Sequence, residues 1–381
     1  MGRDWVALSL RITLLMGALV ILGCQPPTTP ERQRGFSLGA ERGEAVRPGR
    51  TLRFPEDHGP HPEQGIEWWY LTATLQGPGG EVHGVQWTLF RMLGPEPVQE
   101  GGWWQGQWYM AHLAWSPPAS RGPHRAWERW GRGGLGGPDQ APAGVRAEPF
   151  IAWIDHWRLQ SQGEAFLPLN LVASDEGFAL ALTLDDSPLV AHGVGGYSEK
   201  SGDGALASYY YSLPRLQVQG HLKGAEGWVP VSGKAWLDRE WSSRFLDSRF
   251  SGWDWLSVQL DSDASLMLFC LRPERGQNPD LRHCAGSWIS PEGEVTALLP
   301  EQILWQAVDW VRLDGAKYPV AWEVGVILGE SEHHFSVATR SRDQRNQLSI
   351  PYWEGPVIVA GPEGSESLGV GFIEMTGYEV D

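Results

Sequence analysis

The chain has 381 residues, enough for two domains or one large one. Its 46 acidic residues outnumber its 30 basic ones, for a net charge of −16. A chain this acidic is soluble and binds nucleic acids poorly, so no nucleic-acid partner is expected. The 22 Trp, 48 Gly and 28 Pro predict many short strands joined by tight turns. We expect some of the indole rings to line a cavity; the alternative is that all of them pack in plain β-cores.

The N-terminus has the pattern of an export signal. Arg3 and Arg11 precede an apolar run over residues 12–23. This run is shorter than the roughly 20 apolar residues that span a bilayer comfortably. Residues 1–23 are therefore predicted to be a signal peptide.

The end of the signal resembles a bacterial lipobox. Gly23 precedes Cys24, whose thiol would carry the lipid; the alternative is an ordinary signal peptide with a chance cysteine. Residues 24–49 are predicted to form a lipidated N-terminus and a flexible tether. Gln25 favours the outer over the inner membrane, so we expect a lipoprotein at the periplasmic face of the outer membrane.

The chain contains two similar hairpins, over residues 66–91 and 252–272. Further matches follow in the same order, and the separation between matched residues falls steadily along the chain. This is the pattern of one β-module duplicated, although chance matches are common in tryptophan-rich sequence. The matched residues are Trp68 and Trp253, Leu71 and Leu256, Thr72 and Ser257, Leu75 and Leu260, Arg91 and Arg272, Trp115 and Trp288, Asp155 and Asp309, Pro168 and Pro319, and Asp238 and Glu374.

The predicted architecture is all-β, with two tandem lipocalin-like antiparallel β-barrels. We expect the first barrel over residues 50–240, with a loop insertion over 116–148, and the second over 241–381. The insertion is interpreted as a lid or binding loop, with disorder as the alternative. Cys270 and Cys284 lie at equal distances from the middle of a turn, which favours a disulfide over two buried thiols.

Seven short motifs together resemble the AttH-like, carotenoid 1,2-hydratase (CrtC)-related family of lipocalin-like proteins, a group also described as secreted hydrolases. The motifs are Phe54-Pro-Glu-Asp-His-Gly-Pro-His61, Glu67-Trp-Trp-Tyr70, Tyr109-Met-Ala-His112, Gly233-Lys-Ala-Trp-Leu-Asp-Arg-Glu-Trp241, Gly252-Trp-Asp-Trp255, Tyr352-Trp-Glu-Gly355 and Glu374-Met-Thr-Gly-Tyr378. The resemblance implies two lipocalin-like barrels and neither a metal nor an organic cofactor.

The hydratase branch of this family uses an aspartate to protonate an isoprenoid double bond, and the matching position here is Asp238. That branch has His and Trp some thirty residues earlier, where this chain has Tyr209-Tyr-Tyr211. This departure argues against carotenoid hydration. No Gly-x-Ser-x-Gly elbow presents a nucleophilic serine, so an enzyme of this type would be a hydro-lyase rather than a hydrolase.

Asp238 is the candidate catalytic residue. In a strand, Asp238, Glu240 and Trp236 share one face, and an apolar pocket would raise the carboxyl pKa so that it acts as an acid near neutral pH. The alternative is a structural carboxylate paired with Arg91 or Arg272. Glu374 holds the matching place in the second copy, and this duplication argues for a structural role.

The other candidate residues are aromatic or charged side chains in the family motifs. Asp57, His58 and His61 are not expected to bind metal, because prolines and a glycine separate them. The candidate cavity and ligand-binding residues are Glu67, Trp68, Trp69, Arg91, His112, Tyr209, Tyr211, Trp236, Glu240, Trp253, Asp254, Trp255, Trp353, Glu354 and Glu374.

Three functions fit these observations. The first is capture of a hydrophobic molecule, such as a lipid or isoprenoid, in an aromatic-lined cavity. The second is cofactor-free hydration of an isoprenoid-type double bond with Asp238 as general acid. The third is a scaffold for an envelope protein partner, with solid cores at Trp68, Trp236 and Trp253.

Overall fold

The computed structural model describes residues 42–94, 102, 104–362 and 366–378. The predicted signal peptide, Cys24 and most of the predicted tether lie outside these residues. The described helices are four 3-10 turns, Glu56–His58, Ala119–Arg121, Pro279–Leu281 and Pro300–Gln302. None of the helices in the described ranges has the length and hydropathy to cross a bilayer.

Thirteen strands form the first sheet. They are β1 (Ile66–Gln76), β2 (Val82–Leu93), β3 (Trp104–Ser116), β4 (Arg125–Gly134), β5 (Ala143–Ala147), β6 (Phe150–Ile154), β7 (Trp157–Ser161), β8 (Leu169–Asp175), β9 (Phe178–Asp185), β10 (Val190–Ala191), β11 (Tyr197–Glu199), β12 (Ala207–Gly224) and β13 (Gly227–Ser242). Hydrogen bonds connect β1 in order to β9, then β12, β13 and β1 again, so 11 strands close into a barrel. Closure leaves these strands without free edges.

Ten strands form the second sheet. They are β14 (Phe250–Leu260), β15 (Ser265–Pro273), β16 (His283–Ile289), β17 (Val295–Leu298), β18 (Ile303–Leu313), β19 (Ala316–Leu328), β20 (Ser331–Thr339), β21 (Arg345–Asn346), β22 (Tyr352–Ala360) and β23 (Ser367–Thr376). The all-β, lipocalin-like architecture is confirmed. In the second sheet, the hydrogen-bonded order of strands has β17 at one end and β18 at the other. These two end strands are consecutive in the chain, and the 3-10 turn Pro300–Gln302 connects them.

The strand register agrees with the predicted duplication. Strand β1 lies between β13 and β2, and β14 lies between β23 and β15. Equivalent residues therefore meet equivalent partners in the two sheets. The corresponding pairs are Leu75–Gly233 and Leu260–Gly369, Glu67–Arg91 and Gly252–Arg272, Val85–Trp115 and Leu266–Trp288, and Tyr70–Asp238 and Trp255–Glu374.

Two details of the predicted organisation are wrong. Asp155 lies in the tight turn between β6 and β7, whereas Asp309 lies inside β18 at an irregular point of its pairing with β19, so the two are not equivalent. Residues 116–148 are not simply a loop, because β4 and β5 occupy much of this segment and belong to the barrel wall.

Side chains fill the interior of the first barrel. The inward residues of β1, Trp69 and Leu71 among them, pack in one buried cluster with Tyr209, Tyr211 and Trp241. The prediction that Trp69, Tyr209 and Tyr211 line a cavity is therefore wrong, because alternation along the strands turns them into this core. Trp353 likewise lies in the buried core of the second sheet.

A buried charge network closes one end of the first barrel. The Glu67 carboxylate forms an ion pair with Arg91, lies 3.2 Å from Nη2 of Arg239, and lies 2.9 Å from Nδ1 of His61. The Arg239 guanidinium in turn lies 3.8 Å from the ring centroid of Trp69. Burial acts to raise the pKa of Glu67, but Arg91, His61 and Arg239 outweigh it and hold this pKa well below its usual range. Glu67 and Arg91 therefore have a structural role at this end of the barrel, where Arg91 also lines a separate pocket.

The second sheet has a related arrangement. Asp254 forms an ion pair with Arg272, and its Oδ1 accepts a hydrogen bond of 3.1 Å from Tyr378. Asp254 is thus turned away from Trp253 and Trp255, its neighbours on the other face of β14. Cys270 and Cys284 face each other on β15 and β16 and form a disulfide bond.

We predict that Glu67→Gln lowers the free energy of unfolding by about 3–5 kcal/mol, because it leaves two buried arginines without their counter-ion. The pKa of Glu67 is lower in the folded than in the unfolded chain. Its contribution to stability is therefore complete above the unfolded value of about 4.3 and is lost as pH falls through the lower folded value. Urea unfolding at neutral and acidic pH measures both effects.

The matched control is Glu332→Gln on β20, whose carboxylate is largely exposed. This variant is expected to leave the unfolding midpoint nearly unchanged. A Glu67→Gln protein as stable as the control would show that the charge network does not stabilise the fold.

Candidate functional site

A cavity of about 220 Å³ lies between the outward faces of the two sheets, which belong to one compact unit. One wall comes from β1, β2, β3 and β13, and the other from β14, β15, β22 and β23. The aromatic residues that line it are Trp68, Tyr70, Phe90, Phe245, Trp253, Trp255, Phe269 and Tyr352. The aromatic-lined space therefore lies between the sheets and not inside a barrel.

Strand alternation decides which of the predicted residues reach this cavity. In β1, Trp68 and Tyr70 point outward to it, whereas Glu67 and Trp69 point into the barrel. Trp236 and Glu354 are buried directly behind the wall, where they contact lining residues. The predicted residues that line the cavity are Trp68, His112, Asp238, Glu240, Trp253, Trp255 and Glu374.

Asp238 is the most enclosed carboxyl group of the first wall. Its Oδ2 accepts a hydrogen bond of 2.8 Å from the Tyr210 hydroxyl, and its Oδ1 accepts one of 2.6 Å from Trp236 Nε1. Ser212 donates a further hydrogen bond to Oδ1. Burial raises the pKa of Asp238 to about 7, although the three donors act to lower it. Near neutral pH this carboxyl group can therefore exchange a proton, and its ionised form already has three hydrogen bonds.

Glu374 and Glu354 form a carboxyl pair in the second wall, opposite each other on β23 and β22. Glu374 accepts a hydrogen bond of 2.5 Å from Trp253 Nε1, and Glu354 accepts one of 2.7 Å from Tyr70. Burial raises the pKa of Glu374 to about 7, and burial and Glu374 raise the pKa of Glu354 well above its usual range. Glu354 therefore keeps its proton at neutral pH and shares it with Glu374.

Glu240, which lines the cavity beside Asp238 and Glu374, has a cation next to it. Its Oε1 lies 2.7 Å from Nζ of Lys200 and also accepts a hydrogen bond from Ser208. The same ammonium lies 4.4 Å from the ring centroids of both Tyr210 and Phe269. The cavity wall thus already accommodates one cation by a carboxylate and two aromatic faces.

His112 connects the two walls. Its Nδ1 lies 2.9 Å from the hydroxyl of Tyr352, and its Nε2 lies 3.1 Å from Glu128. Burial lowers the pKa of His112, while burial and Glu354 raise that of Tyr352 well above its usual value. We therefore assign a neutral imidazole that accepts from Tyr352 and donates from Nε2 to Glu128.

The sequence prediction missed several residues that lie at the cavity or directly behind its wall. Tyr70 follows Trp68 by two positions, and Tyr210 lies between the two tyrosines that were selected, so the choice of the correct strand face would have found both. His192 has no comparable local signal. It follows β10, and its Nε2 lies 2.6 Å from Ser212 while its Nδ1 lies 2.9 Å from Ser287 of the second sheet.

The histidines of the Phe54–His61 motif lie at the end of the first barrel that contains the Glu67 charge network. His58 Nδ1 lies 2.7 Å from the hydroxyl of Tyr211, and His61 lies between Asp57 and Glu67. Over the described ranges, no group of three or more His, Cys, Asp or Glu residues is arranged to hold a metal ion.

Comparison with known proteins places this geometry in a family. A family model described as AttH-like matches residues 45–378. None of the curated proteins compared with the chain matches it. The crystal structure of an AttH protein from Nitrosomonas europaea is 33% identical, with a TM-score of 0.76 and coverage of 88% of this chain and 99% of that one.

Two further solved structures share the fold at lower identity. Kievitone hydratase from Nectria haematococca has 13% identity and a TM-score of 0.62, with coverage of 90% of this chain and 97% of that one. CghA with Sch210972 has 11% identity and a TM-score of 0.56, with the same two coverages. Given the family match over nearly all of the described chain, this protein belongs to the AttH-like family.

Proposed function

We propose that this protein is a lipid-anchored periplasmic lipocalin-like protein that binds a hydrophobic small molecule, lipid or isoprenoid-like, in the cavity between its sheets. The observation that carries the proposal is the cavity itself, with eight aromatic side chains and a few placed polar groups. Ligand pockets in proteins have this composition. Its volume of about 220 Å³ suits a compact ligand or one segment of a longer chain, since drug-sized pockets measure about 300–1,000 Å³.

The packing of the two walls supports binding over a purely structural role. Trp236 is fully buried in the cluster between the sheets, as a solid scaffold would require. Trp68 and Trp253, however, are only partly buried and keep one face toward the cavity. In a purely structural interface, we would expect the aromatic surface between the two sheets to be buried completely.

We predict that Trp68→Ala weakens binding of the neutral apolar probe N-phenyl-1-naphthylamine by about tenfold or more, because the probe loses a large aromatic contact. The control is Trp228→Ala, which removes a tryptophan that is 52% exposed and does not line the cavity. Fluorescence titration of both folded variants measures the affinities. If Trp68→Ala and Trp228→Ala bind the probe with equal affinity, the cavity is excluded as the binding site.

A second candidate function is cofactor-free hydration of an isoprenoid-type double bond, and Asp238 favours it. A carboxyl group with a pKa near 7 at an apolar wall can donate a proton to a bound alkene. The donors Tyr210, Ser212 and Trp236 are then in place to stabilise the carboxylate that remains. One of the structures that share this fold is named a hydratase, which agrees with this candidate.

For this candidate we predict that Asp238→Asn lowers hydration of an acyclic isoprenoid by about 100-fold or more, since the amide keeps the shape but has no proton to give. The rate of the unchanged protein falls as pH rises through about 7, because the acid form of Asp238 is lost. Incorporation of label from ¹⁸O-water, measured by mass spectrometry, reports turnover. Asp238→Asn turnover equal to that of Glu332→Gln would exclude Asp238 as the acid.

The anchor is proposed from the lipobox at Gly23-Cys24 and from the Gln25 that follows it. We predict that Cys24→Ala abolishes incorporation of labelled palmitate and moves the protein from the membrane to the soluble periplasmic fraction. Retention of label in this variant would show that Cys24 is a chance cysteine. The position of the anchor at the outer membrane is read from fractionation of the unchanged chain.

A further inference from the structure

The internal duplication brings two equivalent carboxyl groups to one cavity. Asp238 pairs with Tyr70 in the first sheet, and Glu374 pairs with Trp255 at the same register position of the second. The rings of Tyr70 and Trp255 contact each other with centroids 5.3 Å apart. Asp238 and Glu374 consequently line the same space from opposite walls.

The surroundings of the two carboxyl groups are also alike. Each accepts a short hydrogen bond from an indole, Trp236 at 2.6 Å for Asp238 and Trp253 at 2.5 Å for Glu374. A duplicated carboxylate was expected to be structural, because two barrels rarely keep one active site. That expectation loses its basis here, since the two copies contribute to a single cavity.

The charges of the cavity are not balanced. Lys200 forms an ion pair with Glu240. Asp238 and Glu374 instead accept hydrogen bonds from uncharged donors, and Glu374 shares a proton with Glu354. Among the described residues, neither Asp238 nor Glu374 forms an ion pair with a basic side chain. Buried carboxylates without counter-charges are costly, so a ligand that supplies positive charge would be stabilised here.

We propose that the cavity takes an apolar molecule that bears one positive charge, held between Asp238 and Glu374 and against the surrounding aromatic faces. This inference rests on the proposed function and names the class of its ligand, a hydrophobic organic cation such as a tertiary ammonium. Cations bind both carboxylates and the faces of aromatic rings, and Lys200 shows the same combination within this wall.

If the protein is a hydratase, the second candidate function, the same arrangement gives Glu374 the role of general base. The O–H bond of Asp238 breaks as a C–H bond forms at the alkene, and the resulting carbocation lies between the two carboxyl groups. A water oxygen then forms the C–O bond, and Glu374 takes the proton that water loses. Transfer of one proton from Glu374 to Asp238 through solvent restores the starting state, so the net change is addition of one water.

The charge of the site depends on pH through several groups. Glu240 and Tyr210 face Asp238, while Glu354, Tyr70 and Glu240 face Glu374. Lys200 and His192 lie against the ring of Tyr210, and burial lowers the pKa of His192, which keeps this imidazole neutral. The tyrosines and Glu354 stay protonated at neutral pH. Asp238 and Glu374 are therefore the groups that ionise as pH rises, and affinity for a permanently charged cation rises with them.

The test compares N,N-dimethyldodecylamine with its neutral counterpart 1-dodecanol, below the concentrations at which either probe aggregates. Binding is followed by tryptophan fluorescence at about pH 8, where the amine is protonated. We expect the amine to bind about tenfold more tightly than the alcohol, and its affinity to fall about tenfold in Asp238→Asn and in Glu374→Gln. The alcohol loses less affinity than the amine in both cavity variants, and the control Glu332→Gln changes neither affinity.

The outcomes separate this inference from the proposed function. If the alcohol binds in a Trp68-dependent manner but the amine gains nothing from its charge, the cation proposal is wrong and the apolar site stands. An amine affinity that depends on Asp238 alone overturns the role of Glu374. If neither probe binds the folded protein, both the proposed function and the cation site are refuted.

Discussion

The structure depends on central strands that are buried on both faces. In β1 and β13, one set of alternate residues fills the first barrel, and the other set packs toward the second sheet. β14 and β23 do the same from the other side. Because strand side chains alternate with a period of two, a shift of one residue would exchange the barrel core with the cavity wall. The site therefore inherits its geometry from the packing of the two sheets.

Charge is handled differently on the two faces. Inside the first barrel, Glu67 forms ion pairs with two arginines and accepts a hydrogen bond from the backbone N–H of His61, which suits a permanent structural role. On the cavity side, Asp238 and Glu374 have hydrogen-bond donors and burial instead, which leaves each with a pKa of about 7. The same residue type is thus fixed as an anion in one place and able to exchange a proton in the other.

The duplication explains how a site forms between two packed β-units. In the described residues, bulky buried side chains occupy the interior of both units. The outward faces are related by the same register, so their union brings together equivalent carboxyl groups and equivalent aromatic residues. Glu374, the residue that matches Asp238 in the duplication, is therefore the second carboxyl group of the shared cavity.

The sequence by itself determined the all-β class, the register of the duplicated hairpins and the face of β13 that carries Asp238 and Glu240. These follow from local alternation and from repeated motifs, which any folded arrangement of the strands must respect. Only the tertiary structure decided that Trp68 and Trp253 face a cavity while Trp69 and Trp353 do not, and that His192 and Lys200 belong to the site. Those outcomes depend on which outward face meets the other sheet, and contacts between residues far apart in the chain leave no periodic signal in the sequence.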